Sequence, residues 1–570
     1  MYSQAFHDQR GLGVDTYPRR QAIEKHLSHF GRHRRRELTP STFDAVVVGS
    51  GVNGLVAAAE LAKAGWSVAL VERNDRLGGF IATEERTVPG YLHDTYSSWH
   101  PLFVSGGAYA VLGHDLHRHG LEYRNTDGLV TGTVAADGRV VLAHRDPKAT
   151  ADEFAHPEDR TAYLAMLQRF LDNAAAIGGF LSSEWRSPTV LRHAIQLLRR
   201  EGLAGREAWL RDAVTSGRSY CRREFRGDEM DLLWVPWLLH AGLSPDHASG
   251  GLMLVVLAAT IHGFGLPVVV GGAGRFVEAF RALLEELHVD IRTGCPAERI
   301  LVTDGRATGV VAGGETIHAA RAVLASVTPS ALYGQLLSST ASVSKAVRTQ
   351  ADRFRHGRAA MQIHVALSAP LGWNDDRLAA VPLLHLSDGS ASTGIACAEA
   401  EAGLLPCRPT VVVGQQHVLD PSRVPEGAAA LWLQLQELPF DPLGDAAGEL
   451  DVTGGWSKDL AAGYARRALA RVARHAPDLP TKLLSVDIVT PTDLVAYNLN
   501  AVRGDPYGGS AELDQSLLWR PLPAASRHAT QIPNLWHIGA STHPGAGLGG
   551  GSGHLVAQQL TRTTRRLRLH

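Results

Sequence analysis

The sequence predicts an α/β fold: a Rossmann-type dinucleotide-binding domain made from separated stretches of chain, with an α+β substrate domain inserted between them. Three observations predict it. A short β-branched run, FDAVVVG, leads into GSGVNG and an Ala/Leu-rich helix that reaches Gly65. A second apolar run, WSVALVE, ends on Glu72. Near the other end of the chain LWHIG runs into a glycine-rich loop and a final helical pattern. Strand, turn and helix thus follow one another at both ends of the polypeptide.

In the first motif each glycine has its own mechanical reason. Gly49 allows the tight turn after the strand, Gly51 lets backbone approach a pyrophosphate, and Gly54 lets helix and strand pack closely while the helix N-terminus faces the phosphates. Glu72 falls about 20 residues further on, where an acid hydrogen-bonds the adenosine ribose. The turn Arg76-Leu77-Gly78-Gly79 then brings backbone closer along the length of the cofactor. This motif alone leaves FAD and NAD both open.

The chain's 570 residues exceed one ordinary core, since domains run to ~100–200 residues. With 45% hydrophobic and 20% charged residues the composition is that of a globular protein. A net charge of -1 argues against a nucleic-acid partner, which would call for a basic face. Cys221, Cys295, Cys397 and Cys407 are scattered with no C-x-x-C, so disulfide-reductase chemistry is excluded and a cytoplasmic location fits. The apolar stretch from Gly251, GLMLVVLAAT, is shorter than the ~20 residues of a membrane span and reads as a buried helix.

Residues 1–42 read as a helical extension, with a helix from Pro18 to Gly31 that places Ile23, Leu27 and Phe30 on one face. Packing on the main body is the expected role, and peripheral membrane contact is the alternative. A cleaved leader is not favoured, because the apolar run that follows is the first strand of the fold. The run Arg32 to Arg36 reads as a solvated turn.

ERNDRLGGF resembles the E-x-R-x-R-x-G-G signature of amine-oxidase-type flavoproteins, with Asn74 where many relatives carry Arg. VVVGGAGRFVEAF and the segment from Ile300 to Pro329 resemble the middle FAD-domain portion of phytoene-desaturase-like oxidoreductases. GASTHPGAG resembles their closing loop, G-A-x-T-H-P-G-x-G. ATEERTVPGYLHD, LHAGLSPDHASG and GDPYGGSAELDQSLLWRPLP are similar to the branch labelled phytoene dehydrogenase-related or pyridine nucleotide-disulfide oxidoreductase domain proteins.

The resemblance implies FAD as cofactor and an FAD domain in three pieces, 43–130, 265–335 and 491–570, with the substrate domain at 131–264 and 336–490. The cofactor-binding residues expected are Gly49, Gly51, Gly54, Glu72, Arg73, Arg76, Gly78, Gly79, Gly539, Thr542, His543, Gly545 and Gly547. The final helix would point its N-terminus at the flavin, where it stabilises the negative charge of the reduced ring.

A second glycine turn, VVVGGAGRF, could open an NAD(P)H site, but Val277 occupies the third glycine position and Asp290 lies inside its strand. Electrons are therefore expected to leave to oxygen, a quinone or a protein carrier. Catalytic residues are not dictated by the sequence. His93, His100, Tyr507 and His543 are candidates, with Asp94, Trp99 and Asp505 beside them. For each, an ordinary core or turn role competes, and for His543 a loop-ordering hydrogen bond is favoured over proton transfer. No metal-ligand spacing emerges.

The expected activity is FAD-dependent oxidation of an organic small molecule by hydride transfer to flavin N5, as dehydrogenase, desaturase or oxidase. The many charged residues of the substrate domain favour a polar metabolite. The competing reading is a non-catalytic binder of the GDP-dissociation-inhibitor type on the same fold.

Overall fold

In the computed structural model, which describes residues 41–567, the first apolar run forms the strand Ser41–Val48. The helix read over Pro18–Gly31 and the Arg32–Arg36 turn lie outside the described residues. Ser41–Val48 pairs in parallel with Val68–Val71 on one side and with Glu315–Ser326 on the other, and Asp290–Arg292 extends the sheet beyond Val68–Val71. The long strand Glu315–Ser326 shares its free edge between two partners. Glu315 to His318 pair antiparallel with Arg306–Ala312, whereas Val323 to Ser326 pair in parallel with Leu535–Ile538.

Successive side chains of these strands point to opposite faces. Ala45, Val47, Val68 and Leu70 pack against the helices Val52–Lys63, Gly107–Arg118, Gly274–Glu286 and Gly551–Leu567. Val46, Val48, Ala69 and Val71 join Ile300, Leu332, Val347 and Phe354 on the other side. With both faces covered, the strands read as unbroken apolar runs, and burying each Val or Leu is worth about 1.5–3 kcal/mol.

The second seven-stranded sheet runs in the order Leu483–Val489, Ala359–Leu367, Ala429–Leu438, Val411–Gly414, Leu383–Leu386, Leu129–Val134, Val140–His144. Met361, Ile363, Val365 and Leu367 face the helix Lys458–His475 through Leu460, Tyr464 and Val472. On the opposite face, Leu383, Val412 and Trp432 pack on Tyr163, Trp234, Leu238 and Leu254. Leu254 belongs to the helix Gly250–Phe264, which contains the longest apolar stretch of the sequence. Among the described residues no helix is long and apolar enough to cross a membrane.

Two details differ from the sequence-based divisions. The strand Leu129–Val134 already belongs to the second sheet, so the division at 130/131 falls inside it. The apolar contacts of the first sheet continue past residue 335 through Leu337, Val343, Val347 and Ala351 to Phe354, because these side chains close its second face.

Candidate functional site

The carboxyl ends of four parallel strands meet at one place, the region where open α/β sheets bind ligands. Gly49 follows the first strand with φ +91, and a Cβ there would stand 3.1 Å from the Ser326 carbonyl oxygen at the end of its neighbour. Gly539, after Leu535–Ile538, has φ +110 and lies against the Ser326 side chain. On Gly54 a Cβ would fall 1.9 Å from the Gly49 carbonyl oxygen, while on Gly51 it would meet nothing within 4 Å. Backbone that is closed at Gly54 and open at Gly51 fits a pyrophosphate passing over Gly51. No side chain caps the helix Val52–Lys63, which leaves its first-turn N–H groups for such an anion.

Glu72 is buried and holds the loop together: its Oε2 accepts from the Ser50 N–H at 2.9 Å and the Ser50 hydroxyl at 2.8 Å, and its Oε1 from the Asn74 N–H at 2.9 Å. The following turn doubles back over the glycines. Gly78 donates its N–H to the Ser50 carbonyl at 3.1 Å, and a Cβ on Gly79 would stand 3.0 Å from the Gly51 Cα. Arg76 pairs with Glu84 at 2.5 Å and lies 4.6 Å over the Tyr497 ring. Asn74, in place of the expected Arg, donates its amide to the Tyr497 carbonyl at 3.1 Å. Arg73 is exposed.

Residues from the far end of the chain close on this region. The Gly553 N–H donates to the Asn53 side chain at 3.3 Å, and His554 Nδ1 lies 2.6 Å from Glu60. Thr542 spends its hydroxyl on the loop itself, contacting the Gly539 carbonyl at 2.8 Å and the Ser552 hydroxyl at 2.7 Å. Gly545 and Gly547 have φ +113 and +122, conformations that leave glycine as the fitting residue. His543 accepts the indole N–H of Trp185 on Nδ1 at 2.9 Å, which places its own proton on Nε2. Its carbonyl receives His528 Nε2 at 2.9 Å, and His528 Nδ1 faces Glu184 at 2.7 Å. His543 thus ties the closing loop to the inserted lobe.

The remaining candidates separate into two groups. His100 is a core residue: Nδ1 meets the Tyr123 hydroxyl at 2.9 Å, the ring packs edge-on against Phe276, and burial pushes its pKa down to about 4. Asp94 is structural as well. It is buried against Arg423 at 2.6 Å and accepts the Ala273 N–H at 2.7 Å, joining the two lobes. Asp505 accepts the N–H groups of Tyr507, Gly509 and Gly357 and so fixes a turn. His93, by contrast, faces His364 edge-on with 5.3 Å between ring centres, and burial lowers its pKa to about 4. Tyr507 meets the Gln436 amide through its hydroxyl, and the Trp99 indole N–H has no partner among the described residues.

These last contacts lead to residues that the sequence reading missed. Gln362 and His364 occupy the face of Ala359–Leu367 opposite Ile363 and Val365, with Trp432 across from His364 and Gln434 across from Gln362. Both ring nitrogens of His364, Oε1 of Gln362 and of Gln436, and Nε1 of Trp432 are buried with no hydrogen-bond partner among the described residues. Burial holds His364 neutral, its pKa well below the usual histidine range. The signal was present in QIH and LQLQ as polar residues at every second position of apolar strands.

The second glycine turn serves the fold's own side chains. The Gly274 N–H donates to Thr83 Oγ1 at 2.8 Å, the Ala273 N–H to Asp94, and a Cβ on Gly272 would collide with Thr83 at 2.4 Å. Asp290 is the first residue of its strand and pairs with Arg292.

A parallel sheet with glycine loops at its strand ends, closed by a C-terminal helix and joined to a second sheet with a polar face, defines a dinucleotide-type flavoprotein with a substrate lobe. The chain belongs to the flavin containing amine oxidoreductase family, whose model matches residues 53–561, and it is an FAD-dependent oxidoreductase. It is 25% identical to pyridine nucleotide-disulfide oxidoreductase domain-containing protein 2 of Rattus norvegicus, over 91% of this chain and 93% of that protein. The zeta-carotene-forming phytoene desaturase of Myxococcus xanthus is 26% identical over 88% of this chain and 90% of its own. Among solved structures, cyclohexylamine oxidase from Brevibacterium oxydans superposes with a TM-score of 0.56 at 16% identity, covering 92% of this chain and 99% of that one. FAD supplies the redox chemistry when bound. Gly51, Gly79 and the Thr542–Gly547 loop are the places where this chain's backbone would hold it.

Proposed function

We propose that the enzyme removes a hydride from a polar organic small molecule to flavin N5, and that the substrate lies against the polar face of the second sheet. The observation that carries this reading is the set of buried atoms with no hydrogen-bond partner among the described residues: Oε1 of Gln362 and of Gln436 and both ring nitrogens of His364. Buried polar atoms cost about 1–3 kcal/mol each when unpaired, so an array of them marks a surface built to meet polar groups. A long polyene would leave them unpaired. Oxygen, a quinone or a protein carrier takes the electrons onward, a reading supported by the occupied N–H groups of the Gly272–Gly274 turn. The four cysteines are free thiols, which supports a cytoplasmic location. Leu517, Leu518 and Trp519, each more than a third exposed, support peripheral membrane contact.

The test is anaerobic mixing of the purified yellow protein with a panel of polar metabolites and apolar polyenes. Bleaching of the flavin by a polar compound is the expected result. Bleaching by polyenes alone would overturn the substrate class, and a colourless protein would favour the non-catalytic binder.

A further inference from the structure

Arg520 is 4% exposed, yet its guanidinium meets only neutral backbone among the described residues. Nη1 donates to the Ser510 carbonyl at 3.2 Å, and Nη2 to the carbonyls of Ala540 at 2.7 Å and Tyr507 at 3.3 Å. Its Nε–H has no acceptor among the described residues, and it lies 3.8 Å from where a Cβ on Gly545 would stand. Burial lowers its pKa to about 10, so the group is still a cation at neutral pH. A buried charge with no counter-charge in contact costs several kcal/mol. Asp505 attracts Arg520 through space, but makes no direct ion pair with it among the described residues, its oxygens accepting three backbone N–H groups instead. The histidines of the loop are committed elsewhere, His543 to Trp185 and His528 to Glu184.

We propose that Arg520 is the counter-cation of the reduced flavin, set against the isoalloxazine ring across Gly545, and that it raises the flavin's reduction potential. The proposal rests on the reading of the Thr542–Gly547 loop as the flavin contact. A hydride brings two electrons and one proton to N5. No second proton is taken up, so one negative charge stays near N1 for the guanidinium to meet. The helix Gly551–Leu567 starts beside the same loop, with Pro544 packed on Gly551, and its N-terminus adds to the positive field.

Potentiometric titration of the holoprotein tests this. The native midpoint should fall by about 30 mV per pH unit between pH 6 and pH 8, the slope of a two-electron, one-proton couple. A slope of about 60 mV, meaning two protons, overturns the proposal. Arg520→Gln should lower the midpoint by at least about 30 mV, a tenfold change for a two-electron couple. It should also weaken binding of sulfite, which adds to N5 and leaves the same charge at N1, at least tenfold. Arg520→Lys should restore most of both effects. If Arg520→Gln retains FAD with an unchanged midpoint, the arginine is a loop tie and the proposal falls. If that variant does not fold, the native slope decides. A colourless native protein overturns the FAD reading together with this one, whereas a yellow protein with the wrong slope overturns this one alone.

Discussion

The two sheets of this protein use the same period-two geometry to opposite ends. In the first, alternate residues such as Val46 and Val47 are both apolar and both faces are closed by helices or loops. What remains open is the strand ends at Gly49, Glu72, Ser326 and Gly539, where the cofactor is proposed to bind. In the second, Ile363 and Val365 are core while on the same strand Oε1 of Gln362 and both ring nitrogens of His364 are buried with no hydrogen-bond partner among the described residues. On the proposed reading, that sheet carries its chemistry on a face. The difference teaches where mutation separates stability from activity: at the strand ends of the first sheet it depends on individual glycines, and in the second on which face a residue occupies.

The largest effect is expected at Gly51. Gly51→Val should abolish FAD retention, read as loss of flavin absorbance, while the urea unfolding midpoint of the apoprotein stays close to native, because a Cβ there meets nothing within 4 Å. Full retention of FAD would break the phosphate assignment. Three residues on, Gly54→Ala forces a Cβ to 1.9 Å from the Gly49 carbonyl oxygen. It should cost about 3 kcal/mol of stability in urea titration. An unaffected midpoint would mean that the helix moves away without penalty.

Acid should distinguish the lobes. His240, His262 and His417 of the inserted lobe have pKa values lowered by burial from 6.5 to about 4, and His364 and His385 lie well below the usual range. Each is neutral in the fold and takes a proton when unfolded. Between pH 6.5 and about 4 the unfolded state binds more protons, so stability is complete above that window and lost as pH falls through it. In the nucleotide lobe His93, His100 and His537 show the same depression. With more such groups, the inserted lobe should lose hydrogen-exchange protection first at pH 5 relative to pH 7. Simultaneous opening of both lobes would contradict this ranking.

The smallest effect in stability is expected at the polar face. His364→Leu removes two buried nitrogens that have no partner among the described residues and should leave stability unchanged or raise it by about 1 kcal/mol. Flavin bleaching by substrate should slow at least tenfold, about 1.4 kcal/mol of lost transition-state stabilisation. A variant that bleaches at the native rate would remove His364 from the substrate surface.

What the sequence by itself determined is contiguous. GSGVNG, LGG and THPGAG state their backbone requirements within a few residues, because a positive φ or a close approach is a local property of glycine, and apolar runs announce buried parallel strands for the same reason. The tertiary structure alone decided the pairings made across long stretches of chain: Asp94 with Arg423, Trp185 with His543, Glu184 with His528, and Arg520 with the carbonyls of Ser510 and Ala540. It also decided which histidines among the described residues are left with unpaired nitrogens. A side chain's burial and partners depend on which surfaces fold together: the alternation in QIH marks His364 as facing away from the apolar side, but no local pattern around Arg520 or His364 says what meets them.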